Sequence, residues 1–129
     1  MAIAFCEESF AMTKAINRDQ PSLEVATALN NLGYVHDKVG EAAKAIGYYE
    51  ESLAMSRIIC GDEPDSGIAI TLKNLGYAYN NIGDTLQADV YFEQALKMNR
   101  LIYGDKPHRE IATIIRSSSF SSMEFSKIL

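Results

Sequence analysis

The residues of this 129-residue chain best suited to chemistry are amides, tyrosines and a few cations at helical spacing: Asn30, Asn31 and Tyr34, then Lys73, Asn74, Tyr77 and Asn80, then Arg116. Asn30 and Tyr34 lie four apart, as do Lys73 and Tyr77, so each pair shares one face of a helix. The chemistry they offer is recognition. An Asn amide both donates and accepts, which suits the main chain of an extended peptide. Lys or Arg holds an acidic side chain or terminal carboxylate by charge-assisted bonds, and Tyr brings rigid apolar area with a polar tip. The competing structural reading is that Asn31 and Asn74 tie neighbouring helices together while the tyrosines fill the core between units.

Residues that could turn over a substrate are scattered. His36 and His108 fall in different registers, and neither has a serine, cysteine or carboxylate at a spacing that forms a dyad. Glu7-Glu8 and Glu50-Glu51 resemble paired carboxylates, but adjacent helical residues point about 100° apart, so they read as solvated surface. Cys6 and Cys60 are isolated and form no metal or redox motif. The expectation is therefore no enzyme, no catalytic residue, no metal and no cofactor. A formal charge of −5 argues against phosphate-backbone binding and hence against nucleic acid. No apolar run reaches the ~18–20 residues of a membrane span. Glu7 and Glu8 stand where a secretory signal would be basic and then apolar, and two unpaired cysteines suit a reducing compartment, so a soluble cytoplasmic protein is expected.

The elements that position these residues are set by a 43-residue repeat. Glu50-Glu51-Ser52-Leu53-Ala54-Met55 falls on Glu7-Glu8-Ser9-Phe10-Ala11-Met12, and Asn74-Leu75-Gly76-Tyr77 on Asn31-Leu32-Gly33-Tyr34. Gapless self-similarity at such a period marks a solenoid, whose units bury apolar faces only against their neighbours. Each unit divides into two helices. Gly61 and Pro64 bracket a loop, since Gly favours the position after a helix and Pro the start of the next. Asp65 or Ser66 then caps a helix to about Ile82, with Ile68, Leu72, Leu75 and Tyr79 on one face. Gly83 ends it, and Asp84 or Thr85 caps a second helix to about Tyr103, whose apolar positions Leu86, Val90, Phe92, Leu96 and Ile102 surround Ala88 and Ala95. The same parse gives helices near Ser22–Val39 and Glu41–Ile59. The expected organisation is a half unit at 2–18, units at 21–60 and 64–103, a partial unit at 107–116, and a serine-rich irregular tail at 117–129. Gly33 and Gly76 are expected opposite Ala45 and Ala88, where backbones could approach closely.

The spacing Leu72-x-x-Leu75-Gly76-x-x-Tyr79, followed by Gly83, Ala88, Phe92 and Ala95, resembles the tetratricopeptide repeat. Leu29, Leu32-Gly33, Gly40, Ala45 and Tyr49 repeat it, with His36 and Ser52 as departures. The period exceeds the usual ~34 residues and resembles the long repeats of kinesin light chains and nephrocystin-3-like proteins. The resemblance implies an all-α, right-handed α-solenoid of helical hairpins whose first helices line a concave groove. It implies an adaptor that binds a protein or peptide there through Asn30, Asn31, Tyr34, Lys73, Asn74, Tyr77, Asn80 and Arg116. No heptad segment for a motor heavy chain is present, and Gln20, Glu63 and Lys106 replace the family's histidine before the loop proline, so motor attachment is not implied. Two alternatives stay open: a detached sensor arm of a larger signalling ATPase or enzyme, and a structural piece that self-associates through its uncapped ends.

After Arg116 the run Ser117-Ser118-Ser119-Phe120-Ser121-Ser122 replaces the Asn-Leu-Gly of the repeat. A truncated or alternatively ended gene product is the expectation, with Phe120, Phe125, Ile128 and Leu129 available as a makeshift cap.

Overall fold

A computed structural model describes residues 2–18 and 20–118, and the expected cap residues Phe120, Phe125, Ile128 and Leu129 lie outside them. The described residues form six helices: α1 (Ala2–Ile16), α2 (Leu23–Lys38), α3 (Ala42–Cys60), α4 (Ser66–Asn81), α5 (Thr85–Tyr103) and α6 (Arg109–Ser117). The fold class is all-α and is built from helical hairpins, as the repeat requires. The chain divides into two compact units, Met1–Glu63 with α1 to α3 and Pro64–Leu129 with α4 to α6.

In the first unit α2 pairs with α3 and also receives α1. Ser22 starts α2 by accepting from the amides of Glu24 and Val25 at 3.1 and 3.5 Å, which satisfies donors that have no partner inside the helix. Val25, Leu29, Leu32 and His36 then recur at steps of four, three and four, and all four are buried. Gly40, at φ 88°, ends the helix. Its amide bonds the carbonyl of Asp37, and the Glu41 amide reaches back to the carbonyl of His36 at 2.8 Å. This is the pair of reverse bonds that a left-handed residue makes possible, and it turns the chain sharply enough for α3 to lie back along α2.

The second unit repeats the scheme with α4 on α5 and α6 against α5. Asp65 and Asp84 cap α4 and α5 by accepting from the amides of Ile68 and Gln87, each at 3.1 Å. Gly83, at φ 87°, copies Gly40, with Asp84 bonded back to the carbonyl of Tyr79 at 2.9 Å.

The hairpins close on glycine–ring contacts, and one expectation about α5 needs correction. The absent Cβ of Gly33 would sit 2.6 Å from the ring of Tyr49, and that of Gly76 2.5 Å from the ring of Phe92. Each glycine is therefore a floor for an aromatic ring of the second helix, and Ala45 and Ala88 are fully buried. On α5 the buried stripe is Ala88, Asp89, Phe92, Ala95 and Asn99. Leu86 is 82% exposed and Val90 also faces solvent, because close approach of α4 is set by the small and flat residues and leaves those two off the seam.

Candidate functional site

In the first unit the first-helix face is open. Asn31 is exposed, and it lines a groove of about 410 Å³ between α1 and α2 with Ser9, Thr13, Leu23, Glu24 and Thr27. Hydroxyls, an amide and a carboxylate thus line the groove together with Leu23 and Ala28. One turn further on, Tyr34 is 51% exposed and the ammonium of Lys38 lies 5.2 Å from its ring centroid, within reach of a cation–π attraction. Asn30 is half-buried and makes polar contacts of its own.

The corresponding face of the second unit is occupied from within. Lys73 Nζ donates to Glu110 Oε2 at 2.9 Å, joining α4 to α6, and the Lys73 side chain is only 18% exposed. Tyr77 shares a hydroxyl hydrogen bond with Ser117 Oγ at 2.8 Å, and its ring meets Phe92 edge-on at 5.4 Å. Asn74 is half-buried and engaged, and Asn80 is half-buried. Arg116 is exposed on α6. The eight candidate residues thus fall into an open group, Asn31, Tyr34 and Arg116, and a group wholly or partly drawn into helix packing.

Several buried polar groups explain departures from the repeat. Ser52 stands where the next unit has Ala95, and its hydroxyl donates to the carbonyl of Ala26 at 2.6 Å across the α2–α3 seam. His36 takes the place of Tyr79. Both rings stack on the tyrosine 12 residues later, His36 on Tyr48 at 5.2 Å and Tyr79 on Tyr91 at 5.5 Å. His36 Nδ1 lies 3.1 Å from Glu41 Oε1, while its Nε2 is buried without a hydrogen bond. His108 begins α6: its Nδ1 accepts from the Glu110 amide at 3.1 Å and its ring stacks on Tyr103 at 3.6 Å. Both histidines are thus held by packing. Among the described residues no cluster of three His, Cys, Asp or Glu side chains could hold a metal ion, and no helix is long and apolar enough to cross a membrane.

Burial pushes the hydroxyl of Tyr49 well above its ordinary value of 10.0, and the charge of Asp37 and then Tyr34 add to the effect. A raised pKa in the folded state means that folding favours the neutral phenol. The contribution is whole below the unfolded value of 10.0 and is lost as pH climbs beyond it. We expect Tyr49→Phe to lose less stability than the wild type between neutral pH and strong alkali, measured by denaturant unfolding. Phe92, at the equivalent position, shows that a ring without a hydroxyl packs on such a glycine.

Comparison with known proteins agrees with the geometry. Two family models, each described as Tetratricopeptide repeat, match residues 25–66 and 72–100. The matches cover most of α2 with all of α3, and most of α4 with α5. No curated protein matches the chain.

Proposed function

We propose that this chain, which carries tetratricopeptide repeats, is a non-enzymatic adaptor that holds a peptide or a partner helix on the first-helix faces of its hairpins. Such repeats generally mediate protein–protein interaction. The observation that carries the reading is the α1–α2 groove, where Asn31 and Thr13 bring donors and acceptors beside Leu23 and Ala28. Polar handles beside apolar side chains suit a main chain that must be both desolvated and hydrogen-bonded. The exposed Tyr34 ring extends the surface by one helical turn. We place the adaptor in the cytoplasm, a setting supported by the free thiols Cys6 and Cys60. Kinship with the kinesin light chain and nephrocystin-3-like repeats is supported by the long period.

Selection from a random peptide display library on the full chain, followed by calorimetry, tests this. Asn31→Ala and Tyr34→Ala are each expected to weaken a selected peptide by about tenfold or more, as anchor losses do. Glu51→Lys on the exposed outer side of α3 is expected to change affinity little. Failure to enrich any peptide, or equal losses from all three variants, would remove the site.

A further inference from the structure

The α1–α2 groove has a candidate occupant within the chain's own sequence. In both full hairpins the face of the first helix that meets the second is deeply buried: Val25, Ala26 and Leu29 on α2, Ile68, Ala69 and Leu72 on α4, all 1–3% exposed. Their repeat equivalents on α6 are Ile111, Ala112 and Ile115. Here Ala112 is exposed and the two isoleucines only half-buried, and together with Pro107 and Arg116 they line an open depression of about 650 Å³. Among the described residues no second helix covers this face. Helix α1 presents the complementary case, a helix in second-helix register with no buried residue. Its Glu7-Glu8-Ser9 matches Glu50-Glu51-Ser52 of α3, the helix that covers the equivalent face of α2.

We infer that α6 of one copy docks in the α1–α2 groove of a second copy and completes a hairpin between chains. This rests on the reading of that groove as a binding site and names its partner. Charge complementarity supports the choice. Within the second unit Lys73 on α4 pairs with Glu110 on α6 at 2.9 Å. Advancing that pair by one period puts Arg116 of α6 in the role of Lys73, and the role of Glu110 falls to Glu24 of the next copy's α2. Arg116 and Glu24 are both exposed, and each lines its own depression. The same shift places Ser9 opposite the carbonyl of Ala112, as Ser52 lies opposite that of Ala26. Such a contact is heterologous, so it propagates head to tail.

Sedimentation velocity on the full chain over a concentration series tests this. The wild type is expected to form a growing series of dimers and longer species. Arg116→Glu and Glu24→Arg should each weaken self-association about tenfold. Mixing the two variants should restore it, because each then meets an opposite charge. Ala112→Arg, at an exposed position, should leave a monomer. A wild type that is monomeric throughout, or variants that fail to rescue each other, overturns the inference. If the monomeric chain still binds selected peptides that Asn31→Ala weakens, the adaptor reading stands without it; if it binds none, both fall.

Discussion

Replacing Gly76 by leucine is expected to destabilise the protein by about 1–3 kcal/mol, the usual penalty for forcing volume into a packed interior. Even one added carbon meets the Phe92 ring at 2.5–2.8 Å. That ring is itself fully buried, so it can yield only by moving α5 away from α4. Gly33→Leu should act alike through Tyr49, whose ring lies 2.6–3.0 Å from the added carbon. Gly47 is the control. It lies inside α3 with nothing within 4 Å of where a Cβ would sit, so Gly47→Ala should stabilise by about 0.5–1 kcal/mol through the entropy glycine loses in a helix. Denaturant midpoints measure all three. Equal loss for Gly47→Ala and Gly76→Leu would show that helix propensity, not the ring contact, governs these positions. Pairing Gly76→Ala with Phe92→Leu should recover stability relative to Gly76→Ala alone, since the shortened side chain vacates the clash.

That contact also shows what the sequence could and could not reveal. Helix ends were legible because Ser22, Asp65 and Asp84 are side chains that cap, and Gly40 and Gly83 supply a positive φ that most residues avoid. Each is a local requirement that a single residue meets. The partner of Gly76 depends on how far α4 slides along α5, which no local pattern encodes. Partnered departures were readable in principle. Asp89 stands where the earlier units have Ile3 and Ile46, and Ser118 where they have Leu32 and Leu75. Both are buried, and Ser118 Oγ donates to Asp89 Oδ1 at 3.2 Å. Two polar intrusions at apolar repeat positions signalled a pair, because a buried polar group is costly unless it is hydrogen-bonded. The serine run after Arg116 therefore begins as structure: Ser117 closes α6 and bonds Tyr77, and Ser118 is its cap. The groove set was harder to resolve. Register marks Tyr34 and Tyr77 as equivalent, yet one is exposed and the other is bonded to α6, because the distinction depends on which helix arrives beside each.

Lys73 allows these two roles to be separated. Lys73→Glu is expected to cost about 1–2 kcal/mol, between the value of exposed pairs and that of fully buried ones, because it sets two carboxylates together where 2.9 Å now separates Lys73 Nζ from Glu110 Oε2. Adding Glu110→Lys should recover most of the loss by reversing the pair. Stability alone would not say whether Lys73 also holds a ligand, and the variant Glu110→Gln addresses that. It removes the carboxylate that occupies the ammonium while keeping the side chain's shape. If Lys73 belongs to the peptide-binding face, an acidic peptide should bind Glu110→Gln more tightly than wild type, and the gain should shrink as salt rises. An affinity unchanged by Glu110→Gln, together with full recovery of stability in the double reversal, would confine Lys73 to joining α4 and α6. Recognition would then fall to Asn31, Tyr34 and the groove beside them.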